Sequence, residues 1–268
     1  ADGDDDATAE GQITVQTLTA DDIESFDIVS NIADIDPDLA NTDYTHEITS
    51  LEGDSVETLN VSGSANLDIL ALVTPVLSKI DATDMTGALT VDAGASTTTS
   101  GVEFIGGAGD DEYTGTANGD TVAGNGGADT IALDGTFASV DTLILNAATD
   151  SLLNADVDGH DIVTDFGTAA GAGALDVIDV GAFGFTGQQG SALANKGALA
   201  NSAVDGSTLT ATNFFSSGGQ DRGVAIGTNG SNTFVFIDAN KDGDFNATDD
   251  AVVQLTGVTD VTLANFGF

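Results

Sequence analysis

The stretch from residue 106 to residue 132 constrains this chain more than any other. It reads GGAGDDEYT, GTANGDTVA, GNGGADTIA, three consecutive nonapeptides in the pattern G-G-x-G-x-D-x-U-x, where U is a large apolar residue. The first copy is complete. In the other two, Thr116, Asn118 and Asn125 stand at glycine positions, and asparagine is the residue after glycine that best tolerates a positive φ. Each nonapeptide is expected to turn sharply with its carbonyls exposed and to end the turn on an aspartate, Asp111, Asp120 or Asp129. It then continues as a three-residue strand whose middle side chain, Tyr113, Val122 or Ile131, points inward.

Two nonapeptides make one coil of a parallel roll, so residues eighteen apart stack, with Asp111 above Asp129 and Asp120 on the opposite side. A hard cation such as Ca²⁺ takes roughly six to eight oxygens. Turn carbonyls, those of Gly107, Gly109, Gly124 and Gly126, with one carboxylate from each of two successive coils, would supply them. On these residues the chain resembles the RTX family of type I secreted bacterial proteins. The resemblance implies an all-β fold, a parallel β-roll or β-helix solenoid stabilised by calcium. A flexible Gly/Asp linker is the competing reading, and the regularly placed inward apolar residues argue against it.

The chain has 268 residues, 44 of them acidic against four basic (Lys79, Lys196, Arg222, Lys241), for a formal charge of −40 and a pI near 4.1. Such a charge excludes nucleic acid and anionic membrane as partners. It also opposes compaction unless cations screen or bind it. With 41% apolar residues and a mean hydropathy of +0.10, the composition is that of a folded chain that needs divalent ions rather than a disordered one. A halophile's acidic surface explains the same charge, and both readings can hold. There is no cysteine, hence no disulfide or thiolate site. No apolar run reaches the length of a membrane span and no signal peptide is recognisable. Ala1 is not an initiator Met, which fits a processed chain or part of a longer one.

Three regions are expected: a solenoid-like region over 1–100, the roll and its closing segment over 101–186, and a C-terminal β region over 187–268. In the first, Asp2, Asp4, Asp5 and Asp6 form either a solvated tail or a cation site at a subunit junction. ITVQTL and IESFDIV read as strands. The pattern apolar-x-x-apolar-x-apolar recurs at Ile23/Phe26/Ile28, Val56/Leu59/Val61, Leu77/Ile80/Ala82 and Val140/Leu143/Leu145; the middle two copies lie 21 residues apart and the last three such intervals on. That period suggests wider coils flanking the tight roll. The Thr/Ser/Gly/Asp-rich segments between 50 and 135 resemble RTX-type bacterial surface-layer proteins. Pro75 marks a short helical turn in ILALVTPVLSKI. Phe104, nine before Tyr113, and Val140, nine after Ile131, extend the inward column, although Val102 and Ala138 replace the aspartate there.

Residues 161–183 resemble the segment that ends RTX β-rolls. By that resemblance Asp161, Asp165, Asp176 and Asp179 are ligand or cap residues, and Ile162, Phe166, Val177 and Ile178 close the core. Residues 187–223 read as a surface excursion with a short helix around 192–199. Beyond it, Asp238, Asn240, Asp242, Gly243, Asp244, Asn246 and Asp249 fit a dockerin-like calcium loop, D-x-N-x-D-G-x-x-N-x-x-D, flanked here by strands FVFI and AVVQL instead of helices. An acidic hairpin without metal is the plainer alternative. The terminal ANFGF resembles the uncleaved export signal of type I substrates, and a strand completing the core explains it equally well.

Catalytic signatures are missing. His46 and His160 lie outside any H-E-x-x-H, there is no G-x-S-x-G, and paired carboxylates carry little information among so many acids. The chain is therefore expected to be no enzyme. Two roles remain: a calcium-binding extracellular structural protein that assembles with copies of itself into a surface layer or filament, with cell-surface polysaccharide as a further partner, or the calcium-folding export module of a larger adhesin, toxin or enzyme.

Overall fold

The computed structural model describes residues 12–31, 45–133, 139–153, 159–168, 174–187, 189–199 and 210–268. The acidic cluster at Asp2 to Asp6 and the position of Ala138 lie outside them. Among the described residues the regular structure is β-strand with three single turns of 3-10 helix, and the strands form a solenoid.

Two parallel sheets face each other along its length. In the first, strands Thr14–Val15, Thr45–Ile48, Asn66–Ile69, Leu89–Asp92, Glu112–Thr114, Thr130–Ala132 and Asp161–Thr164 stack in chain order, and Ala251–Leu255 then adds in parallel. The second runs from Ser25–Ser30 through Thr58–Gly63, Lys79–Met85, Glu103–Ile105, Thr121–Ala123, Thr142–Ile144 and Val177–Asp179 to Phe266–Gly267. Alternation along each strand sends one side chain inward. The inward columns are Ile48, Ile69, Val91, Tyr113, Ile131, Val163 and Leu255 on one side, and Leu59, Ile80, Phe104, Val122, Leu143, Ile178 and Phe266 on the other. All belong to one buried cluster that runs through the three expected regions. Within it the Phe104 and Tyr113 rings stack with centroids 4.5 Å apart.

Coil length decides how many faces the solenoid has. The early, longer coils fit a third sheet, Leu18–Thr19, Leu51–Glu52 and Leu72–Val73. Their corners are filled by buried Val56, Ala65 and Leu77. At one corner Gly63, with φ 124°, passes so close to Ser30 that a Cβ would run into its carbonyl. Once the interval falls to 18 residues the third face has no room, and the coil becomes a two-sheet roll whose corners are the glycine turns.

Several expectations change. Phe104 is inward, but Val140 is 48% exposed and Leu143 takes its place opposite Val122, because the connection after Ile131 is longer than a nonapeptide turn. The three intervals from Leu77 to Val140 are real coils of unequal length, with Ile80, Phe104, Val122 and Leu143 in register. Val163 and Ile178 are the inward residues of the closing segment; Ile162 and Val177 point outward. Pro75 sits in a simple turn rather than a helical one. Ala194–Ala198 is a strand, where a helix was expected.

The region after 187 is also more than a surface excursion. Thr233–Ile237 lies antiparallel to Ala251–Leu255, Val224–Thr228 lies antiparallel to Thr233–Ile237, and Ala194–Ala198 pairs with Val224–Thr228. Thr233–Ile237 is buried on both faces, which explains its unbroken apolar run. Val235 and Ile237 face the solenoid core, while Phe234 and Phe236 join Phe214, Phe215 and Phe245 in a second core. The terminal ANFGF is a core-completing strand: Phe266 is 8% exposed and pairs with Ile178.

Candidate metal centre

From Glu112 to Asp179 each roll strand has an aspartate two residues before its inward side chain, whereas Val102 stands there before Phe104. The alternation that buries Tyr113, Val122 and Ile131 also buries these carboxylates at the corners. They form two columns. On one, Asp111 Oδ1 accepts the Leu89 N–H (2.8 Å), Asp129 Oδ1 the Asp111 N–H (2.8 Å) and Asp161 Oδ1 the Asp129 N–H (3.0 Å), and the Ser151 hydroxyl oxygen accepts from Asp161 N (2.8 Å). On the other, Asp120 Oδ1 accepts the Val102 N–H (2.7 Å), Asp141 Oδ1 the Asp120 N–H (2.7 Å) and Asp176 Oδ1 the Asp141 N–H (2.9 Å). Each carboxylate thus ties one coil to the coil before it and supplies an acceptor that the turn lacks.

All six are at most 2% exposed. Burial penalises the charged form and raises the proton affinity of four of them: Asp111 is pushed up to about 6, Asp120 is raised, Asp129 is raised by burial and by the charges of Asp111, Asp110 and Asp150, and Asp161 by burial and by those of Asp129 and Asp150. No basic group contributes at Asp111, Asp120, Asp129 or Asp161. On the outer face Lys79 forms ion pairs with Asp81 and Glu103.

The closing-segment candidates divide. Asp161 and Asp176 stand in the columns, whereas Asp165 is exposed and Asp179 accepts the Gly181 N–H at 2.8 Å on the outer side. Asp176 also accepts the Gly167 N–H (2.6 Å), and fully buried Asn265 donates to the carbonyls of Gly167 and Asp176.

The C-terminal loop is a separate centre. Asp238, fully buried, accepts N–H bonds from Asp242 (3.2 Å) and Gly243 (3.0 Å), and burial pushes it up to about 7. Asn240 Oδ1 accepts from Asp242 N, Asp242 from Asp244 N, and Asp244 from Asn213 N. Asp249, expected at the last ligand position, is exposed and accepts from the Asn246 side chain. The next residue, Asp250, is the one turned in: it is fully buried, accepts from Ala239 N (3.0 Å) and Asn246 N (2.8 Å), and is pushed up to about 6 by burial.

Among the described residues no three His, Cys, Asp or Glu side chains converge as an all-side-chain metal site. A bound cation would need backbone or amide oxygens as well, as a hard ion does. The residues fit such an ion at one clear point: Asp129 Oδ2 is buried without a hydrogen-bond partner. The histidines play other parts, His46 accepting from Ile13 N (3.1 Å) and His160 lying buried beside the Phe234 ring.

Counting by nines missed Asp141, Asp150 and Asp250. For Asp141 the signal was present: Asp141-Thr142-Leu143-Ile144 repeats the D-x-U-x quartet of Asp120-Thr121-Val122-Ala123, as do the quartets beginning at Asp161 and Asp176. No protein-family model matches the chain, and no curated protein matches it in sequence.

Proposed function

We propose that this chain is a calcium-binding extracellular structural protein that folds in the presence of the ion and assembles with copies of itself into a layer or filament. The observation that carries the reading is the pair of buried carboxylate columns, in which Asp129 feels Asp111, Asp161 feels Asp129, and no basic residue acts on Asp111, Asp120, Asp129 or Asp161. Burial makes their charged forms costly, and a cation that binds only the folded chain offsets this by about 2.7 kcal/mol per site at a hundredfold excess over its Kd. The remaining surface charge keeps copies apart until divalent ions bridge them.

The assembly half of the reading is supported by the N-terminal end. All three sheets terminate there, at Thr14–Val15, Leu18–Thr19 and Ser25–Ser30, with no further strand among the described residues. Val15, Leu18, Phe26 and Ile28 are only partly buried, and Ile13 and Val29 are 60% and 66% exposed. Open parallel edges over an incompletely covered core favour association.

Circular dichroism and negative-stain microscopy across a calcium titration test both halves. The β signal should appear with calcium and fall in chelator, and ordered sheets or filaments should form above a threshold. A chain that keeps its β spectrum in chelator contradicts the folding half. One that folds with calcium but stays monomeric contradicts assembly and leaves the export-module role.

A further inference from the structure

Two asparagines of the chain are followed by glycine: Asn118 in the second turn of the roll, and Asn229 in the loop between the strands Val224–Thr228 and Thr233–Ile237. The atoms of this dipeptide can react with one another. Glycine has no Cβ to obstruct the approach of its backbone nitrogen to the preceding side chain. In sequence the two sites are equivalent, and both asparagines are half-buried.

Their surroundings differ. The Asn118 side-chain amide donates to the Thr98 carbonyl (2.7 Å), and its backbone N–H donates to the Thr116 hydroxyl oxygen (3.2 Å). Gly119 is wedged between coils: a Cβ on Gly101 would run into the Gly119 carbonyl, and a Cβ on Gly119 into the Val140 carbonyl. The next N–H, that of Asp120, is held by the Asp141 carboxylate (2.7 Å). Neither the Asn118 amide nor the Gly119 backbone can turn without breaking contacts to neighbouring coils. At Asn229 these restraints are missing. Among the described residues neither its side chain nor the Gly230 N–H has a hydrogen-bond partner. Gly230 is exposed, has φ 102°, and has nothing within 4 Å of where a Cβ would stand. The loop is anchored on either side of the pair, by the Asn229 N–H on the Asn232 carbonyl (3.2 Å) and the Gly257 N–H on Asn232 Oδ1 (3.1 Å).

We propose that Asn229–Gly230 is a site of spontaneous covalent modification, at which asparagine becomes aspartate and isoaspartate with water as the co-reactant. The Gly230 nitrogen gives its proton to solvent and attacks Asn229 Cγ. The N–Cγ bond forms, the Cγ–Nδ2 bond breaks, and the amide nitrogen leaves as ammonia. Water then opens the succinimide ring. Opening at Cγ gives aspartate, and opening at the backbone carbonyl reroutes the chain through Cγ as isoaspartate. One water is consumed, one ammonia is released and nothing is oxidised. The product carries a further negative charge, and its isoaspartyl form an extra backbone carbon beside the bond that closes the loop. Asn118 is protected by the packing of the roll. The inference is independent of any bound cation.

Peptide mapping by mass spectrometry of the folded full chain, aged in mildly alkaline buffer with Ca²⁺ present, tests it. Aspartate and isoaspartate should accumulate at Asn229 about tenfold or more faster than at Asn118, since a small misplacement of reacting groups costs at least that much. In denaturant the two rates should converge, because the dipeptide is the same. Asn229→Gln, which requires a larger ring, should abolish the product at this position and leave Asn118 as slow as in the wild type. Equal rates in the folded chain, faster reaction at Asn118, or a difference that persists in denaturant overturns the proposal.

Discussion

The coils before residue 100 and the roll after it solve the same problem with different corners. In the early coils the third strand and buried Val56, Ala65 and Leu77 fill the corner, so hydrophobic burial closes each turn. In the roll the coil is too short for that, and a buried aspartate closes the turn by accepting N–H groups. The apolar corner carries no buried charge. The carboxylate corner gains hydrogen bonds but accumulates buried carboxylates down each column, so the proposed ion dependence would belong to the roll.

The sharpest way to break this contrast is to remove a carboxylate corner. Asp120→Ala strands the buried N–H groups of Val102 and Thr116, at about 1–3 kcal/mol each, and should cost about 3 kcal/mol or more in a denaturant titration. Asp81→Ala in the early coils, on the outer face, should cost less than about 1 kcal/mol. Comparable losses would mean that the column aspartates do not carry the roll.

Acid should next test the cost of the buried carboxylates in the roll and the C-terminal loop. In chelator, Asp111 near 6, Asp238 near 7 and Asp250 near 6 all hold their protons more tightly in the folded chain than in the unfolded one. Their protonation therefore stabilises the fold in acid, and that contribution is lost as pH rises through 6 to 7. The metal-free melting temperature should fall between about pH 4 and pH 7, and saturating Ca²⁺ should flatten the slope. A metal-free slope of the opposite sign contradicts the assignment of cost to buried charge.

The local repeat was legible because it needs only neighbours: glycine turn, aspartate, inward apolar residue. The register of Tyr113, Val122 and Ile131 follows from it directly. What was not legible depends on insertions and on distant returns. Counting nine from Ile131 lands on exposed Val140, since the longer connection displaces the quartet to Asp141. Nothing local says that Ala251–Leu255 and Phe266–Gly267 come back to cover Asp161–Thr164 and Val177–Asp179. Nor does spacing say that Asp250, rather than Asp249, turns into the C-terminal loop, because the hairpin pairing of Ala251 with Ile237 sets that choice.

The smallest effect is expected at Lys79, whose partly exposed ion pairs with Asp81 (3.1 Å) and Glu103 (3.5 Å) span the boundary between the two regions. Lys79→Ala should change stability by less than about 1 kcal/mol, and less still in high salt. A larger loss, read by thermal melting, would show that an ion pair and not the shared apolar column joins the regions.

Hydrogen exchange read by mass spectrometry, with and without Ca²⁺, tests the central claim most directly. On adding chelator, amides of the strands Glu112–Thr114, Thr121–Ala123 and Thr130–Ala132 should lose protection, while those of Thr58–Gly63 and Lys79–Met85 keep most of theirs. Equal loss in both regions, or none in the roll, would contradict the claim that carboxylate corners make the roll, and not the early coils, depend on the ion.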